Sequence, residues 1–106
     1  MFKDIAVTPA SVRENDDRDA LSTITHVLRE HNPRVFRCNK TRRYYLLLPP
    51  KLLAKARHAT HEQGDKSRAK TKLITQMVGS RSKKFAKVTC FNLGILEAVA
   101  EKIAEN

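Results

Sequence analysis

Apolar positions recur along this chain in two rhythms, and the switches between them mark out its elements. Leu21, Ile24, Val27, Leu28 and His31 follow one another at helical spacing. They line one stripe of a helix of about four turns. Asp16 or Asp17 can cap its start, because an Asx oxygen accepts from the free N–H groups of a first turn, and Asn32-Pro33 stops it. Upstream, Ile5 and Val7 alternate ahead of Thr8-Pro9, so residues 1–15 read as an irregular or short-strand start. Val35 to Cys38 and Arg43 to Leu48 read as strands on either side of a turn at Asn39-Lys40-Thr41, and Pro49-Pro50 ends the second. Leu52, Leu53, Ala56 and Ala59 then mark a helix over 50–63, closed by Gly64. Ser67 can cap a further helix from Arg68 to Val78, in which Ala69, Leu73, Met77 and Ile74, Val78 stand four apart. Gly79-Ser80 closes that helix, and Arg81-Ser82-Lys83-Lys84 reads as a basic linker. Phe85 to Phe91 alternates like a strand, and Asn92 can cap a last helix with the stripe Ile95, Leu96, Val99, Ala100 and Ile103.

These elements predict one small α+β domain over residues 1–106, with a two- or three-stranded antiparallel sheet packed by about four helices. In the simplest arrangement Val35–Cys38 and Arg43–Leu48 pair as a hairpin and Phe85–Phe91 joins them.

Charge divides the chain more sharply than hydropathy does. The formal net charge of the 106 residues is +10. Residues 1–33, the N-terminal helical segment, carry −2, and residues 88–106, the C-terminal strand end and helix, carry −2. Residues 34–87, the basic core, hold 16 Lys and Arg against Glu62 and Asp65, a net of +14. Such a density repels itself unless a polyanion offsets it, and nucleic acid is the commonest partner of that kind. DNA is favoured over RNA. No stretch sets a basic face against bulky Trp or Phe, so no membrane partner is expected. The longest apolar cluster, Tyr44 to Leu48, is far short of the ~20 residues that span a bilayer. Residues 1–20 lack a signal-peptide pattern, and Cys38 and Cys90 form no CxxC pair, so a reducing cytoplasmic location is expected.

Residues 43–78 run strand, Pro, helix, Gly turn, helix, with Tyr44, Leu46 and Leu48 on one side of the strand and Arg43, Tyr45 and Leu47 on the other. This order resembles the ribbon-helix-helix family of dimeric DNA-binding proteins. The resemblance covers about a third of the chain. It implies a homodimer whose paired strands lie in the DNA major groove. It also implies transcription regulation, with the second helix anchoring a phosphate near Lys66, Ser67 and Arg68. Leu47 stands where that family carries a polar base reader.

Candidate chemistry narrows the reading to a non-enzymatic nucleic-acid-binding regulator or accessory factor. Phosphate contacts are assigned to Arg37, Lys40, Arg42, Arg43, Lys51, Lys55, Arg57, Lys66, Ser67, Arg68, Lys70, Lys72, Arg81, Lys83, Lys84 and Lys87, with Arg42, Arg43, Arg68 and Lys70 foremost. Tyr45 is assigned a base contact. A P-loop is excluded, because the three glycines are scattered at 64, 79 and 94. A Mg²⁺-dependent nuclease needs clustered carboxylates, which the basic segment lacks. His58 and His61 lie three apart on a predicted helix, but metal-module spacing is absent, so no metal or other cofactor is implied. With Tyr45, Arg42 and Arg43 the two histidines give an alternative, a metal-independent ribonuclease. The other alternative is an adaptor or inhibitor that docks a protein partner through the apolar stripe of the C-terminal helix.

Overall fold

Five strands form one antiparallel sheet in the order β1-β2-β3-β5-β4. They are β1 (Ile5–Ala6), β2 (Arg34–Arg37), β3 (Tyr44–Leu48), β4 (Lys70–Val78) and β5 (Arg81–Cys90). Three helices, α1 (Asn15–Val27), α2 (Leu53–Glu62) and α3 (Leu93–Ala104), lie on one side of it. This computed structural model describes residues 4–105. The short strand β1 and the nine-residue strand β4 are the two edges.

The helices form where apolar spacing and caps agree. In α1 the buried Ala20, Leu21 and Ile24 recur at three- and four-residue steps. Glu14 occupies its N-cap position, so Asp16 and Asp17 act within the first turn, where a carboxylate favours the positive helix end. A 3-10 turn and Asn32, at φ 48°, then turn the chain into Pro33 and β2. α3 starts as its cap predicts: the Asn92 side chain accepts from Ile95 N at 2.9 Å. Leu93, Leu96, Val99, Ala100 and Ile103 of α3 are buried against α1 and the sheet. The stripe considered above as a docking surface is therefore spent in the core.

Two sequence expectations are corrected. Among the described residues the sheet has five strands, not two or three, and there are three α-helices, not about four. The cause of both is residues 68–78, which form strand β4 and not a helix. Thr71, Ile74, Thr75 and Val78 are β-branched and suit a pleated surface better than a helix. Gly79-Ser80 is the two-residue turn of a hairpin, with Val78 paired to Arg81 and Gly79 at φ 65°. The basic linker is the first half of β5. A ribbon-helix-helix core is not formed, since its second helix is absent and β3 pairs with β2 and β5 of its own chain.

Register assigns every side chain to a face. Val35, Leu46, Val88 and Thr71 share one row beneath the helices, and Leu48, Ala86 and Leu73 share the next. Leu46, Leu48, Ala86, Val88 and Cys90 are buried there. The opposite face carries no helix.

Candidate nucleic-acid interface

The open face reads row by row across the strands. Phe36, Tyr45, Thr89 and Lys70 form one row, and Arg34, Leu47, Lys87 and Lys72 the next. Beyond them come Phe85 with Ile74, Lys83 with Gln76, and Arg81 with Val78 at the turn. A file of cations, Lys70, Lys72, Lys87, Lys83 and Arg81, therefore runs the length of β4 and β5 on one face. Residues 70–90 contain no Asp or Glu to interrupt it.

The far half of this hairpin is an arm. The last rung that β3 shares with β5 is Leu48–Ala86, while β4 and β5 stay paired from Ile74–Phe85 to Val78–Arg81. At ~3.3 Å per residue these further rungs project the arm ~17 Å past β3. Gln76, Met77, Val78 and residues 81–84 are exposed on it, Met77 at 61%. Lys84 points from the arm to the helix side, in the row of Thr75. A groove of about 380 Å³ lies beside the arm, with Leu47, Pro49 and Phe85 among its walls and Arg34, Lys83 and Lys84 at its rim.

At the other end of the sheet the basic surface becomes concave. A cleft of about 590 Å³ is lined by Arg43, Arg57, His61, Arg68 and Lys70, with Asp65 as its one carboxylate. The Arg43 and Arg68 guanidinium groups lie 4.7 and 5.5 Å from the centroid of the Phe91 ring. Flat guanidinium against an aromatic face is an attractive contact that also orients the donor fork. The cleft walls are tied together beneath these groups. Thr60 and Thr71 hydroxyls meet at 3.1 Å, and Thr71 Oγ1 donates to the Ala56 carbonyl at 3.2 Å, joining α2 to β4. Arg68 holds φ 52°, and Arg42 φ 61°, a region side chains other than Gly seldom adopt.

The remaining expected contacts scatter. Lys40 and Arg42 are exposed in the β2–β3 turn, at the cleft end of the sheet. Arg37 lies on the helix side in the row of Tyr44 and Cys90, and its Nε is buried with no hydrogen-bond partner among the described residues. Lys51 and Lys55 belong to the segment leading into and through α2, in the helix layer. Lys66 is exposed in a 3-10 turn. Ser67 caps no α-helix: its hydroxyl donates to the Gly64 carbonyl at 2.8 Å and accepts from Ala69 N at 3.2 Å. Tyr45 is on the open face but only 7% exposed. Its ring stacks on Phe36 at 5.3 Å, Lys87 Nζ lies 4.3 Å from its centroid, and its hydroxyl donates to Asp4. Burial first, then that carboxylate, raises its pKa well above the usual phenol range. Little of the ring is left for a base.

The two histidines part company. His61 lines the cleft, whereas His58 Nε2 meets Glu62 Oε1 at 3.0 Å. Glu62 also meets Lys102 Nζ at 3.3 Å, joining α2 to α3, so this carboxylate faces away from the cleft cations. Among the described residues no three His, Cys, Asp or Glu side chains group as metal ligands. No described helix is long and apolar enough to cross a membrane. Cys90 is fully buried, which pushes its pKa up to about 12, while hydrogen bonds from Thr41 lower that of the half-buried Cys38. A thiol reagent at neutral pH is therefore expected to modify one cysteine in the folded chain and the second only on unfolding. Two equally fast reactions would contradict this placement.

No family model, curated protein or solved structure matches the chain.

Phe91 and Gln76 escaped the sequence reading, and so did the meeting of Arg57 and His61 with Arg43 and Arg68 in one cleft. Gln76 had a signal, its place in alternation with Ile74 and Val78 once β4 is a strand. Arg57 and His61 share a helix face by their four-residue spacing, but nothing in the sequence signals that they meet Phe91, Arg43 and Arg68, which only tertiary packing brings together.

Proposed function

We propose that the protein binds double-stranded nucleic acid, with DNA preferred, as a non-enzymatic accessory or regulatory factor. The observation that carries this reading is the β4–β5 arm. The hairpin that ends in it bears six cations, Lys70, Lys72 and Lys87 along its base and Arg81, Lys83 and Lys84 on the arm itself, and residues 70–90 hold no carboxylate. The major groove of B-DNA, ~12 Å wide and ~8.5 Å deep, admits a two-stranded ribbon. An arm of ~17 Å reaches the floor of such a groove. The major groove of A-form RNA is too deep and narrow for side chains to read, which is the ground for preferring DNA. On this reading Lys70, Lys72 and Lys87 meet backbone phosphates along the open face. Gln76 reaches base edges, its amide suited to adenine, and Arg81, Lys83 and Lys84 meet the phosphates that flank the groove. The two free cysteines, one of them buried, support a reducing, cytoplasmic setting.

Affinity for a short DNA duplex is expected to fall steeply with salt. Six phosphate contacts give a slope of log K against log salt near about −5. Fluorescence anisotropy across a salt series measures it. A flat response would remove nucleic acid as the partner.

A further inference from the structure

The cleft at the end of the sheet opposite the arm has a chemistry of its own. Along β4 and β5 the cations are strung out in file over the length of the hairpin, as a surface that tracks a chain of singly charged phosphodiesters would be. In the cleft they converge. Arg43 arrives from the start of β3, Arg57 and His61 from α2, and Arg68 and Lys70 from the start of β4, around one concavity of about 590 Å³. None of the four Lys and Arg forms an ion pair among the described residues. Asp65 is the only carboxylate in the lining, and Glu62, one helical turn from His58, is turned to His58 and Lys102. Several converging donors suit a group with three terminal oxygens and close to two negative charges.

The donors are also held in place before any ligand arrives. Arg43 and Arg68 rest on Phe91, which keeps 42% of its surface exposed although it follows a buried cysteine. The Thr60–Thr71 bond fixes α2, and so Arg57 and His61, against the start of β4. Arg68 sits at φ 52°, where glycine would be more comfortable. A side chain kept at a strained position, aimed into a cationic cleft, points to use rather than to folding.

We propose that this cleft binds a phosphate monoester, the group that ends a nucleic-acid strand or a free nucleotide. The strand-end form rests on the nucleic-acid reading above. The test is titration calorimetry on the full chain at one salt concentration. The probes are a short DNA duplex with hydroxyl ends, the same duplex phosphorylated at its 5′ or its 3′ ends, a nucleoside monophosphate, and the matching nucleoside. One extra charge-assisted hydrogen bond to the dianion corresponds to about tenfold in affinity. At least one phosphorylated duplex is therefore expected to bind about tenfold more tightly than the hydroxyl duplex. The preference is expected to vanish in Arg57→Ala and in Arg68→Gly.

Arg68→Gly separates use from folding, because relief of the positive φ should leave its melting temperature at or above that of the parent. A monophosphate that binds where its nucleoside does not, without any duplex preference, assigns the cleft to free nucleotides. Equal binding of all duplexes with no binding of the monophosphate overturns the proposal and leaves the nucleic-acid reading standing. A preference that survives both substitutions overturns it as well. If no duplex binds, the nucleic-acid reading fails, and the monophosphate titration alone decides the cleft.

Discussion

Replacing Arg81, Lys83 and Lys84 together by alanine is expected to weaken duplex binding by about 500-fold at ~0.1 M salt. Each lost phosphate contact removes ~0.9 from the salt exponent, a factor of about eight at that concentration, and three act together. The log–log slope should flatten by about three in the same experiment. The arm makes this substitution cheap for the fold. All three side chains are exposed, and residues 81–84 lie beyond the last rung of β3. Surface changes of this kind stay within about 0.5 kcal/mol, and removing three like charges eases repulsion along the arm. Melting temperature is therefore expected to hold while affinity collapses. A triple variant that binds within a few-fold of the parent, with an unchanged slope, would take the arm off the nucleic acid.

The second large effect concerns the covered face. Leu46→Ala is expected to cost about 3 kcal/mol, or roughly 15 °C in melting temperature for a domain of this size. Leu46 is 0% exposed, sits between Val35 and Val88 in the middle of the sheet, and lies under the helices. Backbone ladders on both sides stop its neighbours from closing the void. Leu47, its neighbour in β3, is nearly as hidden at 5% exposure, but on the face without helices. There Arg34 and Lys87 flank it across the strands, and their flexible stems can settle into the space a shortened side chain leaves. Leu47→Ala should therefore cost clearly less. Urea unfolding of the two variants checks the assignment of faces, and a larger loss at Leu47 would reverse it.

How far the sequence revealed this architecture depended on burial contrast. α1, α2 and α3 were legible because each buries one stripe, with Asn92 marking the start of α3 most clearly, whereas α1 ends at Val27 and a 3-10 turn fills the gap to Asn32-Pro33. β2, β3 and β5 were legible in part, since Tyr44, Leu46 and Leu48 alternate into the core. β4 was misread because almost none of it is buried: Leu73, Met77 and Val78 are all exposed. Without an inside and an outside, hydropathy at four-residue steps mimics a helix. The β-branched content and the Gly79-Ser80 turn were the better guides. The basic character of the site was readable from charge density alone. Its division into an extended file and a converging cleft was not, because that depends on α2 packing against β4 through Thr60 and Thr71.

The placement of β4 at the rim of the sheet has a consequence for how the protein behaves in solution. Nine residues of backbone there face outward with no neighbouring strand, a template on which another chain could pair. Lys70 and Lys72 stand along that rim, and lysine is the usual guard against such self-templating. Their protection is electrostatic, so it shortens with the Debye length. The ionic strength that strips away a bound polyanion is thus the same that disarms the guard, and solubility and freedom from ligand pull against each other in this molecule.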